Sequence, residues 1–336
     1  MMNKSSNLLF MFILIMSVMM AISSNSWFMV WMSMEINIMS FIPLILEQKN
    51  MMSKESALTY FLTQTIASMM MLISITFMSI KEYSNMNNMG EMMLMMSLMM
   101  KSGVSPLHFW MPKVMEGLNW NKCLILMTLQ KMTPMIMMSS FLKMNMLSMF
   151  GMVMSIIIGA VGGLNQTSLR KLMAYSSISN NGWMLAAMMM SEKMWMMYFI
   201  MYSIMTMIMT MSMNNYKNYH LNQMISMNES IYKKFFIMIN MMSISGLPPM
   251  MGFLPKWMVI QQSMSTSQLM LMSMMVMITL ITIYYYLRMM YSAMMLTNSM
   301  PKWNKIISKK NNMLNSLMIT ISILGLMLLT MMISLY

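Results

Sequence analysis

Hydrophobic residues occur along this chain in long runs that are separated by short polar stretches. A run of about 18 or more apolar residues predicts a transmembrane helix, whereas the strands of a membrane β-barrel are shorter and alternate apolar with polar residues. The runs here are too long and too uniformly apolar for strands. The pattern therefore predicts an all-α, polytopic membrane protein of about eleven transmembrane helices, near residues 7–23, 26–46, 56–80, 92–114, 123–143, 146–162, 172–190, 194–213, 234–261, 266–295 and 313–335.

No linker divides these intervals, so residues 1–336 are predicted to form a single transmembrane domain. Only 9% of the residues are charged, against roughly 25% in soluble domains. A water-soluble surface cannot be built from this composition.

The positively charged residues are distributed unequally between the predicted spans. With the N-terminus on side one, side one holds fourteen Lys and Arg residues, side two holds three, and four lie within spans. Because Lys and Arg accumulate in cytoplasmic and matrix loops, side one is predicted to be the matrix or cytoplasm. The net charge of +13 is therefore an orientation signal, and no nucleic-acid partner is expected.

The 74 methionines are spread over every apolar segment, where Met replaces Ile or Leu. This excess is typical of an AT-rich mitochondrial genome in which a codon normally read as Ile is read as Met. The N-terminus lacks an Arg/Ser-rich transit peptide, which favours synthesis inside the organelle. The single cysteine, Cys123, excludes a Cys-rich iron–sulfur or zinc site, and no dinucleotide-binding motif is present.

Five charged residues are assigned to the interior of the predicted spans, namely Glu35, Lys101, Lys131, Lys256 and Arg288. A charge at the bilayer centre costs at least about 2.5 kcal/mol, so such residues are rare and commonly mark proton or ion routes. Arg288 lies near a span end, where its side chain can reach the interface. Desolvation favours the neutral form of a buried lysine, and a nearby carboxylate favours its charged form. Lysines balanced between these effects can take up and release protons, as a pump requires.

Two predicted spans contain a glycine that is followed by proline. The fourth contains Ser102-Gly103-Val104-Ser105-Pro106, and the ninth contains Ser245-Gly246-Leu247-Pro248-Pro249. Because proline removes a helical hydrogen bond and clashes with the preceding turn, both spans are predicted to be broken. Both follow the pattern S-G-x-x-P-x5-P-K, which ends at Lys113 and Lys256, and they lie five spans apart. An odd separation reverses their direction, which predicts two inverted five-helix repeats.

His108 follows the first break, seven residues or about two helical turns after Lys101. If the helix presents the same face on both sides of the break, the side chains of Lys101 and His108 lie along one polar surface. A histidine in this position can relay protons or can be a hydrogen-bonded packing residue, and both interpretations stay open. No metal site is predicted.

Several short motifs occur in the order typical of one protein family. They are Asn25-Ser26-Trp27, Met34-Glu35-Ile36-Asn37, Lys101-Ser102-Gly103, Pro106-Leu107-His108-Phe109-Trp110, Gly162-Gly163-Leu164-Asn165-Gln166-Thr167, Leu169-Arg170-Lys171, Tyr175-Ser176-Ser177-Ile178, Gly182-Trp183-Met184, Gly246-Leu247-Pro248-Pro249 and Gly252-Phe253-Leu254-Pro255-Lys256-Trp257. From about residue 5 to residue 290, the chain thereby resembles the mitochondrial NADH dehydrogenase subunit 2 family, which are antiporter-like membrane subunits of respiratory complex I.

The resemblance implies a core membrane subunit of NADH:ubiquinone oxidoreductase, multi-pass in the inner mitochondrial membrane with its N-terminus on the matrix side. Such a subunit translocates protons while other subunits transfer electrons from NADH to ubiquinone. NADH, FMN, iron–sulfur clusters and ubiquinone are then handled by partners, and no cofactor is expected in this chain. The implied partners are other complex I subunits, especially neighbouring antiporter-like subunits, and membrane lipids.

The resemblance also implies roles for individual residues. Glu35 resembles the carboxylate paired with the first key lysine, Lys101, while Lys131 resembles the central relay lysine and Lys256 the lysine that faces the exit path. His108 resembles a member of the connecting polar axis. Asn180 stands where relatives commonly have His, which puts a relay role for that position in doubt.

Two other functions account for part of the pattern. If the chain is a free-standing cation/proton antiporter, it should contain the same buried lysines but should have no partner dehydrogenase. A bundle that only holds neighbouring subunits together predicts that the buried charges are paired and replaceable by apolar residues without loss of pumping.

Overall fold

The computed structural model describes residues 4–47, 50–79, 84–141, 146–226, 231–248, 250–265 and 269–295. Within these ranges the regular elements are helices, and Ser168 and His220 form an isolated β-bridge. The helices are α1 Lys4–Ser23, α2 Trp27–Ile45, α3 Met51–Ser79, α4 Ser84–Ser102, α5 Trp110–Gly117, α6 Trp120–Met127, α7 Leu129–Phe141, α8 Met146–Gly163, α9 Leu169–Met190, α10 Glu192–Tyr216, α11 Leu221–Ile225, α12 Ile231–Ser245, α13 Phe253–Ser265 and α14 Leu269–Met295.

Six of these helices are long and apolar enough to cross a membrane, namely α1, α2, α3, α8, α10 and α14. The protein is therefore all-helical and polytopic over the part of the chain that the structure describes. Each of the first ten predicted spans overlaps one helix or two consecutive helices. The eleventh, 313–335, lies outside the described residues.

The outer faces of the helices are apolar and polar side chains lie inside. Leu8 in α1, Leu58 in α3 and Met277 in α14 are more than half exposed, whereas Gln64 and Asn181 are buried. This arrangement is opposite to that of a soluble bundle, and it is stable only where a lipid phase covers the outside.

The chain divides into two compact units, Met1–Ser155 and Ile156–Tyr336. In the first unit, α3 packs against α2, α4 and α5, while α7 packs against α1, α4 and α6. In the second, α10 packs against α9, α12 and α13, and α14 packs against α11, α12 and α13.

Both glycine–proline segments interrupt a helix. The first helix ends at Ser102 and resumes at Trp110, and the second ends at Ser245 and resumes at Phe253. Gly103 and Gly246 have φ values of +72° and +83°. These left-handed angles are readily adopted by glycine, which has no Cβ, and they turn the chain out of the helix.

A third break was not predicted. The fifth predicted span, 123–143, contains no predicted break, but the chain leaves helical geometry at Thr128, between α6 and α7. Thr128 has φ −113° and ψ −79°, and its carbonyl accepts bonds from the backbone of both Lys131 and Met132. The break therefore lies one turn before Lys131. The short helix α11 also forms inside the polar stretch 214–233.

Candidate functional site

A small cavity in the first unit is lined by the side chains of two buried lysines. Lys101, in the last turn of α4, is 7% exposed, and Lys131, in the first turn of α7, is 2% exposed. The cavity has a volume of about 20 Å³. It is lined by Met34, Asn37, Ile38, Tyr60, Gln64, Lys101, Ser102, Trp110, Met111, Leu126, Gln130, Lys131, Thr133 and Pro134.

The amine of Lys101 contacts sulfur atoms. Its Nζ lies 3.3 Å from Sδ of Met34 and 3.9 Å from Sδ of Met71. Glu35, half-buried on α2, interacts electrostatically with Lys101. The structure does not, however, place the carboxylate of Glu35 within 4 Å of the Lys101 amine, as it does that of Glu47 with Lys122. Lys101 and Glu35 are therefore coupled through space in this state, without a direct hydrogen bond.

Uncharged polar side chains connect three helices around the cavity. Tyr60 of α3 donates its hydroxyl proton to Oε1 of Gln130 at 3.1 Å, and Nε2 of Gln130 donates to Oδ1 of Asn37 at 2.8 Å. Gln64, one turn after Tyr60, donates to the carbonyl of Lys101 at 3.5 Å. Sequence reasoning singled out none of these residues for a role. The sequence does contain a pattern that indicates them: Tyr60 and Gln64 are four residues apart, so their polar side chains share one face of an apolar helix.

His108 is buried but is not one of the residues that line the cavity. Its Nδ1 lies 3.1 Å from the carbonyl of Pro106, two residues earlier, and its ring contacts Phe109. Since α4 ends at Ser102, the spacing of two helical turns between Lys101 and His108 does not apply. The structure brings Lys101 and Lys131 to one cavity and leaves His108 outside its lining.

Lys256 lies at the second break, in the second unit. It is 8% exposed, and its Nζ donates a hydrogen bond of 2.7 Å to the carbonyl of Ser245, the last residue of α12. A Cβ atom on Gly246 would lie 2.8 Å from this nitrogen, so the glycine makes room for the lysine. Lys113, its counterpart in the repeated pattern, is exposed. At the first break, the indole of Trp110 donates to the carbonyl of Met100 at 3.0 Å instead.

Other residues considered in the sequence take ordinary structural positions. Asn180 is buried, where it donates to the carbonyl of Ser176 and accepts a hydrogen bond of 3.0 Å from Tyr198. Arg288 is exposed and donates to the carbonyl of Leu164. Of the prolines at the breaks, Pro106 is half-buried, Pro248 is exposed and Pro249 lies outside the described residues.

Within the described ranges, no group of three His, Cys, Asp or Glu side chains could hold a metal ion. The ionisable residues that line the cavity are Tyr60, Lys101 and Lys131. Amine, carboxyl and phenol groups can each take up and release a proton.

The chain matches known proteins over almost its whole length. A family profile described as the transmembrane region of NADH:quinone oxidoreductase/Mrp antiporter matches residues 24–282. The NADH-ubiquinone oxidoreductase chain 2 of Aedes aegypti is 47% identical over 98% of each chain. That of Bos taurus is 35% identical over 88% of this chain and 89% of its own length.

Solved structures share the fold at low sequence identity. A chain of respiratory complex I from Thermus thermophilus superposes with a TM-score of 0.82 at 17% identity, covering 97% of this chain and 79% of the other. A chain of the Mrp complex from Dietzia sp. gives a TM-score of 0.73 at 13% identity, covering 83% and 59%. On its sequence relatives and its family profile, the chain belongs to the NADH-ubiquinone oxidoreductase chain 2 family of NADH:quinone oxidoreductase/Mrp antiporter membrane proteins.

Proposed function

We propose that the chain is a proton-translocating membrane subunit of NADH:ubiquinone oxidoreductase in the inner mitochondrial membrane. The observation that carries the proposal is the cavity shared by Lys101 and Lys131. Two lysines on one cavity inside an apolar bundle are costly for stability, so a functional role explains them better than packing does. The relatives are named NADH-ubiquinone oxidoreductase chain 2, and this name indicates the enzyme complex in which the chain would perform this role.

The proposed mechanism is electrostatic. A movement that brings Glu35 toward Lys101 favours the charged amine, and a movement away favours release of its proton. Lys101 lies against two thioethers, which accept hydrogen bonds weakly and hold the amine without fixing its charge. A change of charge at Lys101 then alters the proton affinity of Lys131, across the same cavity, and after it that of Lys256. His108 is assigned to the polar axis only by its position in the family motif.

The proposed membrane topology has eleven spans, two inverted five-helix units and the N-terminus in the matrix. Contacts between loops support it, because residues in contact must lie on the same side of the membrane. Lys122 and Glu47 are 2.5 Å apart, and the backbone of Leu169 donates to that of Tyr219 at 2.9 Å. All four lie in segments assigned to the matrix side. The repeat is supported by the two glycines with positive φ, each one residue past a helix that ends in serine.

We assign the redox chemistry to partner subunits of the complex. NADH, FMN, iron–sulfur clusters and ubiquinone would be bound there, and the contribution of this chain to the enzyme would be proton transfer. Its direct neighbours would be other antiporter-like subunits and membrane lipids.

The proposal is tested by substitution in a relative whose gene can be replaced and whose complex can be reconstituted in vesicles. Lys131→Met, and separately Lys101→Ala and Glu35→Ala, should lower the number of protons moved per electron. Lys113→Met is the matched control, because Lys113 is exposed and should leave the ratio unchanged. Normal proton-to-electron ratios in all three buried-site variants would reject proton translocation through this site.

A separate experiment tests the assembly. Mildly solubilised membranes are separated under native conditions, probed for this chain and stained for NADH dehydrogenase activity. A single large active band that contains the chain supports a complex I subunit. Migration as a small species without NADH activity, while complex I stays intact, would favour an independent antiporter.

A further inference from the structure

The side chain of Gln130 is the centre of the hydrogen-bonded chain around the cavity. It accepts from Tyr60 of α3 at 3.1 Å and donates to Asn37 of α2 at 2.8 Å, so it ties α7 to two other helices. An amide is suited to this position because it accepts through oxygen and donates through nitrogen at once. It does not titrate, so any part that it takes in proton transfer is one of positioning.

The first turn of α7 depends on this side chain for its orientation. The helix begins at Leu129, after the break at Thr128, and both Gln130 and Lys131 lie in its first turn. Pro134, four residues after Gln130, has no N–H group, so the carbonyl of Gln130 cannot receive the usual helical hydrogen bond. With a break before it and a proline after it, this turn has a weakened backbone ladder. The bonds from the Gln130 side chain to α2 and α3 therefore fix the direction from which Lys131 enters the cavity.

The same side chains line the cavity that the two lysines share. A cavity of about 20 Å³ exceeds the roughly 10–15 Å³ that one water molecule requires, and such a water needs two to four polar partners. Asn37, Tyr60, Gln64 and Gln130 supply those partners from three helices. These side chains therefore set the directions of the hydrogen bonds along which a proton would move between Lys101 and Lys131.

We propose that Gln130 is a positioning residue for proton transfer between Lys101 and Lys131, acting through its bonds to Tyr60 and Asn37. This inference rests on the proposed function. An uncharged hydrogen-bond network then sets the geometry of proton transfer. The network is required because the break at Thr128 and the proline at Pro134 weaken the backbone hydrogen bonds of the first turn of α7.

The test uses Gln130→Met, which keeps the length of the side chain and removes both of its hydrogen bonds. In the intact complex in vesicles, the rate of proton translocation per assembled complex should fall about two- to tenfold for each of the two hydrogen bonds removed. Tyr60→Phe removes only the bond to Oε1 and should give a smaller loss. The double variant should lose little more than Gln130→Met alone, because both act through one chain.

A second readout separates positioning from a general loss of stability. The titratable groups that line the cavity with Gln130 are Tyr60 on α3, Lys101 on α4 and Lys131 on α7, and Glu35 on α2 interacts with Lys101. A change in the orientation of Lys131 should shift the pH profile of translocation, whereas a purely structural defect lowers the amount of complex and leaves the profile unchanged. Where Gln130→Met does not assemble, the profile of Tyr60→Phe decides the question.

The outcomes are distinguishable from those for the proposed function. Loss of pumping in Lys131→Met, together with a wild-type rate and pH profile in Gln130→Met and Tyr60→Phe, would overturn this inference alone. Normal pumping in Lys131→Met would overturn the proposed function and this inference with it.

Discussion

Lys256 caps the helix that precedes it, since its Nζ donates a 2.7 Å hydrogen bond to the carbonyl of Ser245 at the end of α12. Carbonyl groups at a helix C-terminus lack helical donors and carry partial negative charge, so a cationic amine is favourable there. A buried carbonyl at membrane depth has no water to replace that donor. The residue proposed to carry protons in the second unit therefore also stabilises a helix end, which links its protonation to the structure of the break.

This double role predicts two separable effects of Lys256→Met. Loss of the cap leaves a buried carbonyl without this donor, which should cost about 1–3 kcal/mol of stability and lower the thermal midpoint of the purified complex. Proton translocation per electron should also fall. Differential scanning fluorimetry and vesicle acidification measure the two effects.

The matched control for this prediction is Lys113→Met, which removes the corresponding lysine of the first half. Lys113 is exposed, so its replacement should change stability by less than about 0.5 kcal/mol. Equal effects of the two substitutions would show that burial of Lys256 at the break has no consequence.

The glycines at the breaks should respond differently to alanine. Both have positive φ, so Gly103→Ala and Gly246→Ala share a backbone penalty of about 1–2 kcal/mol. At Gly246 the new methyl group would also meet Lys256 Nζ at 2.8 Å, whereas at Gly103 it meets the flexible end of Met111 at 3.2 Å. Gly246→Ala should therefore reduce both proton translocation and thermal stability more than Gly103→Ala does, because displacement of Lys256 also removes its hydrogen bond to Ser245. The reverse order would mean that Lys256 tolerates displacement from Ser245.

Trp110 is predicted to be the corresponding cap at the first break. Trp110→Phe removes the donor to the Met100 carbonyl and leaves space beside the ring of Tyr60, whose centroid is 5.9 Å away. The expected loss is about 0.5–1.5 kcal/mol, the value of one hydrogen bond, because the backbone N–H of Gly103 still donates to that carbonyl at 3.3 Å. Thermal denaturation of the complex measures it, with Trp257→Phe as the control because Trp257 is 43% exposed. A loss no larger than that of the control would remove the assigned capping role.

The sequence was sufficient for the features that follow from local rules. Apolar runs predict helices, and a glycine followed within three residues by proline predicts a break, so the interruptions after Ser102 and Ser245 could be located. The burial of Lys101 and Lys131 could be predicted in the same way, because charges are rare in apolar runs.

Features that depend on contacts between distant residues could not be predicted. Gln130 and Asn37 are 93 positions apart, and no local pattern shows that their amides meet. The break at Thr128 has no glycine or proline at its own position, and Pro134 lies inside the helix that follows. The hydrogen bond of Lys256 to Ser245 spans a break whose geometry only the folded chain defines.

The ion pair of Lys122 with Glu47 joins the end of α2 to the start of α6. Besides its 2.5 Å contact with Glu47, Lys122 lies 3.3 Å from the carbonyl of Ile45, and Asn119 donates to the same carboxylate. The two charged side chains are 20% and 36% exposed, so solvent screens the pair. Its expected coupling energy is about 0.2–1 kcal/mol, and it should weaken as salt is raised.

A double-mutant cycle measures this coupling. Glu47→Gln and Lys122→Met are each expected to lower the thermal midpoint of the complex slightly, and the double variant should lower it by less than their sum. Because the pair is partly exposed and neither residue lines the cavity, the single variants should lose stability without a change in protons moved per electron. Additive losses, independent of salt, would show that the contact contributes nothing to holding α2 in place.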